Sequence, residues 1–291
     1  MPGRHVGADL DRWGHMAVRR LLRAEGVSAA HADAPLVMQF SSLSSVGERG
    51  WLRELSKSLC GGDGGPTRLR VVYPSRAEIC ESLEGWFAGA SLPCKNGCEL
   101  KLLSALREMS GGSNLATLCH WDGGPDGGAR KAAVPHIKSY CRYGDDGRSL
   151  AFALLTSSNL SQAAWGVLEK GNSQLYVKSY ELGVLLLPSL QPTRALAADK
   201  GAGATAPAAP ATVVPLPYSL PPKPMPSTEK IWAENDDLYR GPRRDRHGKT
   251  AAFFSKQYSG PDPYPGTTGH YGVNGTGRRL LLSWCGQAAQ Q

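Results

Sequence analysis

No apolar run in this sequence approaches the roughly 20 residues that a membrane-spanning helix requires. The longest, "LGVLLLP" at 182–188, falls far short, so no membrane partner is expected. Met1–Leu10 has none of the apolar character of a secretory signal. The seven cysteines are odd in number and scattered, at 60, 80, 94, 98, 119, 141 and 285. That pattern disfavours a disulfide framework, and the expectation is reduced thiols inside a cell. Cys94 and Cys98, with Cys80, Cys119 and His120 nearby, lack the paired knuckles of a zinc site. What is present is ample apolar material: 41% of 291 residues are hydrophobic, enough for a sizeable core. Thirty-three Lys and Arg against 25 Asp and Glu leave a net charge of +8, which fits a polyanionic partner without requiring one.

Between about 11 and 190, helix-like and strand-like segments alternate, the mark of a layered α/β domain. "DRWGHMAVRRLLRAEG" predicts a helix with Asp11 as a cap, Trp13, Ala17 and Leu21 on one face, and a stop at Gly26. "QFSSLSSVG" predicts a strand end running into a serine-rich loop, before a helix that turns Trp51, Leu52, Leu55 and Leu59 inward. "RLRVVYP" reads as a strand, and Ser75 and Glu78 have the spacing of a capping box. Residues about 109–131 are glycine-rich and predict a surface insertion. "SLAFALL" (149–155) suits a buried strand, and "QLYVKSYELGVLLLP" two strands or one bent one, with Glu181 in the bend. Residues 193–212, rich in Ala, Gly and Pro, predict a flexible linker. Order resumes over 213–250, and 251–291 gives no element.

One motif carries chemistry. In "PHIKSY", alternation along a strand would point His136 and Lys138 to the same side, where they can hold one anion between them. The dipeptide pattern alone is weak, since His247-Gly248-Lys249 matches it in an arginine-rich turn. The setting strengthens it: a strand bearing His136 and Lys138, a buried strand next, then Asn159 at the head of a helix, whose free N–H groups favour an anion. His15 and His120 read as structural or incidental. The cluster "RGPRRDRHGK" reads equally well as a phosphate-contacting patch or a solvated loop.

Read together, "PGRHVGADLDRWGH", "QFSSLSSVG", "YPSRAEICESLEGWFAGASLP", "VPHIKSYCRY", "LLTSSNLSQAAWGVLEKGNSQLYVKSYELGVLLLPS" and "VPLPYSLPP" resemble the phospholipase D superfamily, and within it the tyrosyl-DNA phosphodiesterases. Tyr143 stands where the wider superfamily pattern H-x-K-x4-D has its Asp, which favours the tyrosyl-DNA branch over lipases. The resemblance implies a phospholipase D-like domain over 1–192, a mixed β-sheet flanked by helices, with 213–250 its terminal part. It thins over 231–250 and vanishes in the tail.

The implied activity is DNA repair: hydrolysis of a 3′-phosphotyrosyl bond to a topoisomerase I-derived peptide, on single- or double-stranded DNA ends. A phosphohistidine intermediate is implied, no cofactor, and a nuclear location. Position by position, His136 matches the second histidine, the general acid/base; Lys138 and Asn159 match phosphate-binding groups, and Glu181 the carboxylate that orients catalytic side chains. Ser42, Ser45, Ser91, Lys101, Ser161 and the backbone at Ala163 match contacts to the DNA strand's phosphates, and Trp232 an aromatic near the site.

The matched stretch begins at Pro2, after the place where the family's first H-x-K half would stand. The expectation is therefore a chain with the acid/base partner but without the attacking histidine, unable to complete both steps as a monomer. Three origins stay open for Met1: an internal methionine, the start of an incomplete gene reading, or a true start after gene loss. Assembly across a two-fold dimer is disfavoured, because His136 already matches the specialised second role. The alternative is a non-catalytic fragment that binds single-stranded DNA ends.

Overall fold

The computed structural model describes the chain except for residues 27, 45, 47–49, 63–67, 95–96, 111–115, 127–128, 255–271, 274–278 and 281–291. Its centre is a mixed sheet of β2 (Leu36–Gln39), β3 (Leu69–Val72), β4 (Ala116–Cys119), β5 (Lys138–Tyr143), β6 (Ser149–Thr156), β9 (Gly183–Leu186), β10 (Leu196–Ala198) and β11 (Thr212–Val214). The strand order is β11-β10-β6-β5-β2-β3-β4, with β9 also paired to β6. The β2–β3 and β3–β4 pairs are parallel, and β5 runs antiparallel to both β2 and β6. A second, small sheet is antiparallel: β1 (Gly3–Val6) and β7 (Val167–Glu169) flank β8 (Gln174–Val177).

Side chains that alternate along the strands build two cores. Leu36, Met38, Leu69, Val71, Tyr140 and Phe152 face one side, where Trp51, Leu52, Leu55 and Leu59 of α2 (Trp51–Leu59) and Leu102 and Leu106 of α4 (Cys98–Ser110) cover them. Each such burial contributes about 1.5–3 kcal/mol. The other face packs Val37, Val72, Cys141 and Leu150 against Trp121, Leu196, Val214 and Tyr218. A register shift at Arg142/Tyr143, which pairs Tyr143 with Leu150, puts Leu150 on this second side.

Several sequence expectations change here. α1 spans Gly14–Glu25, with Trp13 at the N-cap position and no side-chain cap; it buries His15 and Leu22, while Leu21 is exposed. The burial of His15, between Ser58 Oγ (2.8 Å) and Glu54 Oε1 (3.0 Å), turns the helix away from the face that its apolar spacing alone selects. The glycine-rich stretch 109–131 contains the end of α4 and all of β4, whose Ala116–Cys119 pairs residue by residue with β3. Likewise the 193–212 linker contains a strand and ends at the start of another: Leu196–Ala198 is buried and pairs parallel with Thr212–Val214, and the segment between them is largely exposed. Small residues suit both places, because backbone hydrogen bonds hold a short strand without large side chains. α3 (Arg76–Cys80) is capped as expected, with both hydrogen bonds of the Ser75–Glu78 box present. "QLYVKSYELGVLLLP" is two strands in different sheets, with Glu181 between them.

Candidate active site

Strand register gathers the residues. Lys138 lies opposite Thr156 across β5–β6, and Thr156 opposite Gly183 across β6–β9, so the three form one row. Glu181 sits two residues before that row and Asn159 three residues beyond it. On the other side of β5, β2 continues past Gln39 into Ser41 and Ser42, which contact Asn159. His136, Lys138, Asn159 and Glu181 thus share one end of the sheet.

His136 precedes β5 and is exposed, whereas Lys138, its first residue, is buried; the pair is not two like-facing positions of one strand. The Lys138 ammonium donates to the His136 carbonyl at 2.5 Å. Gln39, fully buried, clamps the same segment: its Nε2 donates to Ile137 O at 2.7 Å and its Oε1 accepts from Ser139 Oγ at 3.1 Å. Partial burial, then the charge of Lys138, lowers the pKa of His136 below 6.5. Burial also lowers the pKa of Lys138, and the Glu181 carboxylate opposes that shift.

Asn159 Oδ1 accepts from Ser42 N (2.9 Å), Ser41 N (3.1 Å) and Ser41 Oγ (3.3 Å). Backbone N–H groups can only donate, so the amide has one orientation and Nδ2 remains its donor. Glu181 Oε2 accepts from Ser157 Oγ at 2.5 Å, and that hydroxyl accepts from Leu182 N at 3.0 Å. Sequence reasoning missed Gln39, Ser41 and Ser157. Gln39 and Ser41 stood inside the matching "QFSSLSSVG", but their partners lie about a hundred residues away.

The proposed strand contacts divide. Leu43 bridges both Cys94 and Leu160, which brings segments 41–43, 93–94 and 159–160 side by side. Ser42 lies here, its hydroxyl donating to Pro93 O at 3.1 Å. Ser161 is buried and its Oγ caps α5 (Gln162–Trp165), a single turn that starts three residues after Asn159, so Asn159 precedes this helix and does not stand at its head as the sequence suggested. The Ala163 carbonyl accepts from both Lys178 N and Ser179 N at 3.0 Å. Ser91 ends a 3-10 turn two residues before Pro93, and Lys101 is exposed on α4. Ser45 lies outside the described residues.

Trp232 is committed to packing: it is 3% exposed, stacks on Trp86, and donates from Nε1 to Leu92 O at 2.7 Å. Tyr143 is buried in the second core. The other H-x-K is architectural. His247 Nε2 is bound to Leu83 O at 2.8 Å, and Asp245 Oδ1 holds the turn by accepting from His247 N and Lys249 N, both at 2.9 Å. His120 lies between Glu78 (3.0 Å) and Glu229 (3.6 Å). Cys94 and Cys119 lie in different cores, on opposite faces of the sheet.

A family model described as tyrosyl-DNA phosphodiesterase matches residues 1–225, a span that holds every one of these site residues. The chain belongs to the tyrosyl-DNA phosphodiesterase family. Among curated members, tyrosyl-DNA phosphodiesterase 1 of Arabidopsis thaliana is 40% identical over 195 residues, covering 65% of this chain and 30% of that protein. A probable tyrosyl-DNA phosphodiesterase of Schizosaccharomyces pombe is 31% identical over 201 residues, 65% of this chain and 36% of that protein. The chain therefore spans about a third of the length of these relatives. The crystal structure of the yeast tyrosyl-DNA phosphodiesterase superposes with a TM-score of 0.57 at 18% identity, over 76% of this chain and 54% of that one, and shares the fold. The layered α/β architecture is thus of the phospholipase D type.

Proposed function

We propose that this site is the acid/base half of a phosphodiester hydrolase that removes tyrosyl adducts from the 3′ ends of DNA. The observation that carries the reading is the fixed Asn159 amide: with Oδ1 held by Ser41 and Ser42, its Nδ2 is left as a donor at the end of the sheet where Lys138 and His136 also lie, which supports a set of three donors for one phosphoryl group. Family membership supplies the reaction class.

The chemistry follows from the leaving group. A phenol of pKa about 10 leaves poorly as phenolate at neutral pH, so a proton must reach its oxygen as the P–O bond breaks. With its pKa lowered, His136 is neutral in the free site; the negative charge of an arriving phosphodiester raises that pKa, so the proton enters with the substrate. After giving up that proton to the phenol, the neutral imidazole can take one from water as water attacks phosphorus and the phosphorus–nitrogen bond of a phosphohistidine breaks. The attacking histidine of the first step comes from outside this site. Lys138 and the Asn159 amide stabilise charge on the equatorial oxygens, and Glu181, tied to Ser157, keeps Lys138 charged. Ser42 and the backbone around Ala163 are the candidates for contacts to the DNA strand, where hydroxyls and amides suit phosphates and not bases, while the Ser161 hydroxyl serves as the cap of α5. A topoisomerase I-derived peptide as the tyrosine-bearing partner and a nuclear location belong to the same proposal.

A second reading has its own support: the one histidine that the described residues place in the site favours binding of single-stranded DNA ends without turnover. Incubation of the purified chain with a 3′-phosphotyrosyl oligonucleotide separates the two. Tyrosine release that His136→Ala abolishes supports hydrolysis by this chain; saturable, salt-sensitive binding without release supports the binding half. Turnover unchanged in His136→Ala would remove that residue from the mechanism.

A further inference from the structure

A cavity of about 350 Å³ opens on a different part of the surface, between α3 and residues 228–243. Arg76, Lys230 and Arg243 line it, with Trp86 and the buried Leu238 as apolar wall. Lys230, Leu238 and Arg243 lie beyond residue 225, where the family match ends, so the cavity joins a family element to a segment outside it. Its cations are placed by backbone: Ser75 and Ile231 form a β-bridge, and Arg76 N donates to Lys230 O at 2.9 Å. The Arg76 guanidinium is further held by Asn235 Oδ1 at 2.7 Å, and its Nε is buried without an acceptor.

At the mouth stands Asp237. One oxygen, Oδ2, accepts from both Lys230 Nζ at 2.6 Å and Arg76 Nη1 at 2.8 Å, while the side chain is 63% exposed. Hydrogen bonds from Lys230, then Arg76, hold its pKa at about 2, so it is an anion at every working pH. The remaining lining carboxylate, Glu229, points toward His120, and Arg243 reaches outward to Glu81 at 3.1 Å. Two cations therefore share one exposed carboxylate in a concave site.

We propose that this cavity binds a phosphate monoester, with the Asp237 carboxylate as the occupant that the phosphate displaces. A phosphoryl group offers Arg76 and Lys230 more acceptor oxygens than one carboxylate does, and a third oxygen reaches Arg243 across the cavity. The source is a free nucleotide or a phosphorylated nucleic-acid end. The inference does not rest on the phosphodiesterase reading.

The test uses the full chain carrying His136→Ala and Lys138→Ala, so that the site at the sheet end contributes nothing. Inorganic phosphate is titrated calorimetrically at constant ionic strength. One-site binding is expected, about tenfold tighter with Asp237→Asn and about tenfold weaker with Lys230→Gln, since each changes one charge in the site. Arg243→Gln gives the same weakening from the far wall should Lys230→Gln disturb the fold. A 5′-phosphorylated oligonucleotide that binds more tightly than its 5′-hydroxyl twin identifies a nucleic-acid end; a mononucleotide that binds while the two oligonucleotides bind alike identifies a free nucleotide. No saturable phosphate binding, or binding indifferent to Asp237→Asn and to both cation variants, overturns the proposal.

Discussion

Asn159 has two tasks that mutation separates. Asn159→Ala strands the N–H groups of Ser41 and Ser42 and is expected to cost about 1–2 kcal/mol in chemical denaturation. Asn159→Asp keeps the acceptor, so the fold should hold, but it replaces the donor with a negative charge; oligonucleotide affinity should fall about tenfold or more in fluorescence anisotropy. The proposed role of His136 predicts a pH dependence of definite sign. Its pKa in the free site is lowered below 6.5, and a bound phosphodiester would raise it, so binding should take up a proton and tighten as pH falls from 8 to 5. The diester's own charge is constant over that range. An anisotropy series should show this slope in the parent and lose it in His136→Ala; a slope that survives the substitution assigns it to another group. The residues themselves were readable in sequence, because His136, Lys138, Asn159 and Glu181 stand in a matching motif. Their supports were not: Gln39, Ser41 and Ser157 are ordinary polar residues until folding brings their partners near.

Local elements were legible where the signal spans a few residues. The Ser75–Glu78 box is one, and Ser75→Ala should cost about 1 kcal/mol. β4 and β10 were not legible, because their short, small-residue sequences become strands only when β3 and β6 offer edges to pair with. The α1 face was misread for a related reason: burial of His15 against α2 is a tertiary contact that apolar spacing does not report. The 3-10 turn Gly85–Ser91 depends on close approach. A Cβ at Gly89 would stand 2.0 Å from Trp232 Cζ2, and that indole is pinned by its bond to Leu92 O. Gly89→Ala should therefore lower stability by about 1–3 kcal/mol, read as a shifted denaturation midpoint; an unshifted midpoint would mean that the indole yields.

Across the whole molecule, burial sets the chemistry of the thiols. It pushes Cys94, Cys119 and Cys141 up to about 12 and Cys60 to about 11, so these groups stay protonated and shielded. Iodoacetamide at pH 8 should leave all four unmodified in the native chain and label them after denaturation, as read by peptide mass spectrometry. Early labelling of Cys119 or Cys141 would show that the second core opens. What the sequence by itself determined is what contiguous residues encode: the α/β alternation, the α3 cap, the family motif and its four chemical groups. The tertiary structure alone decided which way those groups face and what holds them, and it showed the second H-x-K, His247 and Lys249, locked in the Asp245 turn. The physical reason is range. A cap or a strand is closed by bonds a few residues apart, whereas the anchors of Asn159 are 117 and 118 residues distant and exist only once the sheet has set its register.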